Sequence, residues 1–60
     1  MLNISLELPP NEAWALAECF KRICYSDYRT LAVDEQEAWE MWEAGEKVRA
    51  ALAEKGIAPR

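Results

Sequence analysis

The chain has 60 residues, a net charge of −4 and 52% hydrophobic residues. This hydrophobic fraction excludes an intrinsically disordered chain, and the length allows one small domain, residues 1–60, with a thin core. No apolar run approaches the roughly 18 residues of a membrane span, and no basic segment precedes a signal-like apolar stretch, so we expect a cytoplasmic protein without a membrane segment.

Residues 2–8, LNISLEL, alternate apolar and polar side chains. A period of two predicts a short β-strand with one buried face, which Pro9 ends. A single strand leaves its backbone groups unpaired, so we expect a homodimer in which this N-terminal strand pairs with the same strand of a second copy. The alternative is an extended arm that packs on the helices with a solvated backbone.

The next segment predicts a helix from Pro10 to about Cys24, because proline suits the first helical position and apolar residues follow at helical spacing. Glu18 and Arg22 are spaced for an i,i+4 ion pair. Cys19 and Cys24 point away from each other on such a helix, so we expect buried, reduced thiols. The predicted apolar stripe consists of Ala13, Leu16, Ala17, Phe20, Ile23 and Cys24.

Residues 25–33, YSDYRTLAV, interrupt the helical period. Ser26 is a suitable N-cap for a single helical turn over Asp27–Leu31. We expect the large side chains of this segment to close one end of the core, namely Tyr25, Tyr28, Leu31 and Val33.

The last helix has the clearest pattern. Asp34 and Glu37 form a capping-box sequence at its start, and Gly56 after Lys55 predicts a left-handed C-cap at its end. Gly45 lies on the apolar side of this helix, which predicts the close approach of another backbone. The predicted apolar stripe consists of Ala38, Met41, Trp42, Gly45, Val48 and Leu52.

These elements predict a mainly α domain of the α+β class. We expect a short N-terminal β-strand followed by two main helices, with a one-turn helix between them.

The segment ISLELPPNEAWALAECFKRI, residues 4–23, resembles the ribbon-helix-helix family in its alternating strand, Leu-Pro junction and amphipathic helix. The resemblance implies a dimeric DNA-binding regulator or antitoxin, in which Asn3, Ser5 and Glu7 would face the major groove. The second half departs from that family, because residues 25–34 interrupt what should be one helix. The first half also carries only three basic residues, so we expect direct DNA binding not to be the role of this protein.

Residues 34–46 hold six acidic residues and no basic one. On a helix, Glu40 and Glu43 lie opposite the apolar stripe, whereas Glu35 and Glu46 lie close to Trp39. Lys47 is spaced to pair with Glu43. For Glu35, Glu40 and Glu46 we expect no basic neighbour at helical spacing. An ordinary solvated helix face is the alternative interpretation.

An acidic helix with a tryptophan among its carboxylates indicates a binding surface for a basic partner. In size and charge the chain resembles the small acidic inhibitors that include DNA-mimicking anti-CRISPR proteins, which implies a partner whose basic surface binds nucleic acid. Without histidine or a phosphate-binding motif, we expect a non-enzymatic protein with no cofactor or metal site. The predicted partner-binding residues are Glu35, Trp39, Glu40, Glu43 and Glu46, extended by Asp27 and Asp34.

Overall fold

A computed structural model describes residues 1–59 and places them in three α-helices. These are α1 (Pro10–Arg22), α2 (Tyr25–Leu31) and α3 (Glu35–Glu54). The longest helix, α3, packs against both α1 and α2. None of the three is long and apolar enough to cross a membrane.

The predicted N-terminal β-strand is wrong, and with it the α+β class. Residues 1–9 are extended, but no strand is present in residues 1–59, and the fold is helical. The alternation of residues 2–8 specifies which side chains share a face. A strand also needs a neighbour for its backbone groups, and the described chain offers none.

Helix α1 begins as predicted, with Pro10 in its first turn and the Pro9 carbonyl accepting hydrogen bonds from the backbone N–H groups of Glu12 and Ala13, both 3.0 Å. It ends at Arg22, two residues before the predicted end, because Ile23 has an extended backbone with ψ of 139°. The predicted pair of Glu18 with Arg22 is confirmed at 3.1 Å. Both side chains are largely exposed to solvent, so this pair contributes little stability.

Helix α2 is longer than the predicted single turn, and its N-cap is Cys24 in place of Ser26. One carboxylate oxygen of Asp27 accepts hydrogen bonds from the Cys24 backbone N–H at 2.9 Å and from the Cys24 thiol at 3.3 Å. This arrangement moves the helix start back to Tyr25. The Asp27 carboxylate thus accepts a hydrogen bond from one of the backbone N–H groups that have no partner within the helix at its start.

The predicted Asp34 cap and the predicted left-handed Gly56 cap of α3 are confirmed, whereas the reciprocal bond of the capping box comes from Val33 and not from Asp34. Asp34 accepts a hydrogen bond from the Glu37 backbone N–H at 2.8 Å, while the Glu37 carboxylate accepts one from the Val33 N–H at 3.1 Å. At the other end Gly56 has φ of 83°, a left-handed conformation. The Ile57 N–H donates to the Leu52 carbonyl at 3.0 Å, and this six-residue closure is the Schellman motif that glycine permits.

Small side chains form the contact between the helices. The buried residues are Ala13 and Ala17 on α1, Tyr28 on α2, and Ala38 and Gly45 on α3. Among the described residues no large side chain is completely buried. The helices therefore approach closely at alanine and glycine, and the core is thin.

Gly45 lies against a side chain, where the sequence predicted another backbone. A Cβ placed on Gly45 would overlap the hydroxyl oxygen of Tyr28 and lie 3.3 Å from Cε1 of Phe20. Burial raises the pKa of the Tyr28 hydroxyl, and electrostatic interactions with Cys19, Glu46 and Asp27 add to that shift. The phenol is therefore neutral at neutral pH and occupies the space that the missing Cβ leaves.

Two further predictions of burial are wrong. Leu31 and Val33, which were expected to close the core, are 71% and 82% exposed. Cys19 and Cys24 are free thiols, but both are exposed. The α2 helix ends at Leu31 and the chain turns immediately into α3, so only its Tyr25–Tyr28 side reaches the core.

We expect the Gly45→Ala substitution to lower the free energy of unfolding by about 1–3 kcal/mol, because the added methyl overlaps Tyr28. This loss opposes a gain of about 1 kcal/mol in helix propensity. Urea denaturation followed by circular dichroism measures the change. The Gly45→Ala/Tyr28→Phe double variant removes the overlapping hydroxyl and should recover part of the stability; a Gly45→Ala protein more stable than the original would contradict this packing.

A second prediction concerns the stability of the fold at low pH. The backbone N–H and the thiol of Cys24, in that order, hold the pKa of the Asp27 carboxyl below its ordinary value of 3.8. The folded state therefore gains stability from this carboxylate above pH 3.8 and loses it as pH falls through the lowered pKa. Asp27→Asn should be less stable than the original protein at neutral pH, with the difference shrinking in urea titrations below pH 3.8. Glu54→Gln is the control, since it removes a carboxyl group outside this cap.

Candidate functional site

The first half of α3 carries Trp39 with Glu35 and Glu43 one turn before and one turn after it. A separation of four residues places these three side chains in one row along the helix. Glu46 lies beside this row, whereas Glu40 lies further round the helix. All five side chains are exposed, and we call these residues the acidic face.

Trp39 belongs to a small aromatic cluster. Its ring lies 4.3 Å from that of Tyr25 on α2, at an interplanar angle of 31°. The Trp42 ring meets it edge-on, 5.8 Å away at 85°. Although both neighbours cover part of the ring, Trp39 remains 46% exposed. The cluster holds the indole in a defined orientation and leaves part of it open to a ligand.

The Tyr25 hydroxyl is a second feature of this cluster. Its oxygen is buried and has no hydrogen-bond partner among the described residues. A buried hydroxyl without a hydrogen-bond partner costs free energy. The Tyr25 hydroxyl therefore lowers the stability of this cluster unless it finds a partner outside the described residues.

The carboxylates of the acidic face differ in what they contact. Glu46 lies 3.9 Å from Arg49, three residues along α3, so the expectation that Glu46 has no basic neighbour is wrong. This pair is about half exposed and therefore weak. The predicted pair of Glu43 with Lys47 is not among the ion pairs of residues 1–59. Within that range Glu35, Glu40 and Glu43 have no ion pair and no side-chain hydrogen bond.

The two aspartates that were predicted to extend the acidic face have local roles. Asp34 is the N-cap of α3 and accepts from the Glu37 N–H. Asp27 caps α2 through Cys24, and its lowered pKa follows from those two hydrogen bonds. Both keep a negative charge near the start of a helix, where the helix dipole stabilises it.

This surface is suited to binding. Exposed carboxylates attract a cationic group, and an open indole face can stack on a guanidinium or ammonium group. In residues 1–59 no group of three or more Cys, Asp and Glu side chains is placed to hold a metal ion, and the sequence contains no histidine. The carboxylates lie on an open helix surface, which lacks the desolvation that acid–base chemistry requires.

Tyr25 and Trp42 belong to this site although the sequence pattern does not predict them there. Trp42 was placed on the apolar stripe, although its position three residues after Trp39 is the spacing at which two aromatic side chains meet on a helix. Tyr25 lies 14 residues earlier in the chain, and no local pattern predicts a contact at that distance.

No curated protein and no solved structure matches this chain. The model of DUF7706, a family of unknown function, matches residues 1–60. The chain is therefore a member of the DUF7706 family.

Proposed function

We propose that this protein is a non-catalytic interaction protein whose acidic face binds a basic surface of another protein. The observation that carries the proposal is Trp39, which is 46% exposed between two carboxylates, Glu35 and Glu43, that have no ion pair among the described residues. Tryptophan is enriched among the residues that carry most of the binding energy at protein interfaces.

Electrostatics supports a basic partner. Six of the eleven acidic residues lie between residues 34 and 46, and no basic residue lies there. Such a concentration of one sign of charge raises the rate of encounter with an oppositely charged surface and makes that rate fall with salt. A basic groove that normally holds nucleic-acid phosphates has the matching charge, so we propose inhibition by occupation of such a groove.

The aromatic cluster supports Trp39 as the anchor of the contact. The Tyr25 and Trp42 rings already hold the indole, so binding loses little side-chain entropy at this residue. Burial of the remaining exposed part of the ring would stabilise the complex, while Glu35 and Glu43 pair with cationic groups around it. The cytoplasm is the proposed location, since the two free thiols suit a reducing compartment.

Charge reversal tests the proposal with a deca-arginine peptide as the basic probe. We expect the Glu35→Lys/Glu43→Lys variant to raise the Kd of this peptide by about tenfold or more at low salt, since close charge pairs across an interface are worth at least that much. Isothermal titration calorimetry measures the Kd, and added salt should shrink the difference. The control Glu12→Lys/Glu18→Lys changes the net charge equally but lies on α1 and not on the acidic face of α3. Equal losses of affinity in the two variants would show that net charge alone sets the binding.

The anchor has a separate test. Trp39→Ala should weaken peptide binding by about tenfold, the loss typical of a tryptophan at an interface centre. Trp14→Ala is the matched control, because Trp14 is 43% exposed on α1 and lies outside the aromatic cluster. A gel-shift titration with duplex DNA at low salt should show no retarded band. DNA binding without peptide binding would overturn the proposed function.

A further inference from the structure

The N-terminal arm, residues 2–8, leaves several large apolar side chains exposed to solvent. Leu2, Ile4 and Leu6 are 87%, 80% and 70% exposed. In the described chain, no hydrogen bond is made by the backbone of residues 2–8. Three aliphatic side chains at alternate positions form a contiguous apolar edge, which marks an interaction surface.

A groove lies beside the arm. It encloses about 580 Å³ between the arm, α1 and the second half of α3, and its helical walls include Leu16, Val48, Ala51 and Leu52. Lys47 and Lys55 also line it and supply its positive charge. At about 100° per residue, Val48 is on the opposite side of α3 from Trp39, so the groove is separate from the acidic face.

The arm has the chemistry that this groove accepts. Its aliphatic residues match the apolar walls, and Glu7, on the other face of the alternation, is the one charged residue between positions 2 and 8. An arm that places Leu6 against the walls holds Glu7 at the rim, where Lys47 and Lys55 are the available cations. Neither lysine forms an ion pair among the described residues.

We propose that two copies of this chain form a two-fold dimer in which the N-terminal arm of each lies against the groove of the other. Every copy carries both the arm and the groove, so the exchange is reciprocal and closes at two copies. Leu2, Ile4 and Leu6 then leave water against the α1–α3 walls. A 60-residue chain whose buried residues are mostly alanine and glycine gains in this way the apolar burial that its own core lacks.

Sedimentation equilibrium of the full chain tests this arrangement over about a hundredfold range of concentration, since the dimer must dissociate by mass action. The original protein should sediment as a dimer that dissociates on dilution. Leu6→Glu should raise the dimer Kd by about tenfold or more, because a charge then enters the apolar contact. Circular dichroism should show unchanged helices, since Leu6 is exposed in the single copy.

Val33→Glu is the matched control, because Val33 is 82% exposed, against 70% for Leu6, and does not line the groove. It should leave the dimer Kd unchanged. A protein that stays monomeric at the highest concentration would overturn the proposal, and so would equal weakening by Leu6→Glu and Val33→Glu.

Charge exchange tests the position of the arm. Glu7→Lys and Lys55→Glu should each weaken the dimer, and the double variant should restore part of the lost affinity, because the pair is re-formed with its signs exchanged. If the dimer of the double variant is no tighter than that of the weaker single variant, the position proposed for the arm is wrong. The peptide-binding test of the acidic face uses other residues, so either proposal can fail while the other stands.

Discussion

The contact of Tyr28 with Gly45 is the constraint on which the packing of this protein depends. It brings α2 against the middle of α3, and it requires a residue without a Cβ at that point. Ala13 and Ala17 of α1 and Ala38 of α3 are the other buried residues of these two helices. Because most of the buried side chains are small, the core between the helices contains little apolar side-chain volume.

A thin core of this kind leaves large side chains on the surface. Trp39 and Trp42 remain partly open on one side of α3, and the leucines and isoleucine of the N-terminal arm remain open near the other. The two surfaces differ in charge, since carboxylates surround the first and lysines line the groove beside the second. The proposed basic partner and the proposed second copy therefore have separate places on opposite sides of α3.

Acidic residues have two kinds of surroundings in this chain. Asp27 and Asp34 accept backbone hydrogen bonds at helix starts, which stabilises the local structure and occupies their oxygens. Glu35 and Glu43 form no side-chain hydrogen bond and no ion pair within the described residues. Only the carboxylates without such contacts are free to pair with a partner. The proposed site therefore includes fewer residues than the six acidic residues between positions 34 and 46.

The sequence by itself determined the features that depend on neighbours within five residues: the proline start of α1, the Asp34 cap and the left-handed Gly56 that ends α3. Local hydrogen bonds decide these, and local residue types identify them. It did not determine whether residues 2–8 form a strand, because pairing needs a distant partner. Only the tertiary structure decided that Tyr25 stacks on Trp39 and that Tyr28 covers Gly45, since residues far apart in the chain make those contacts.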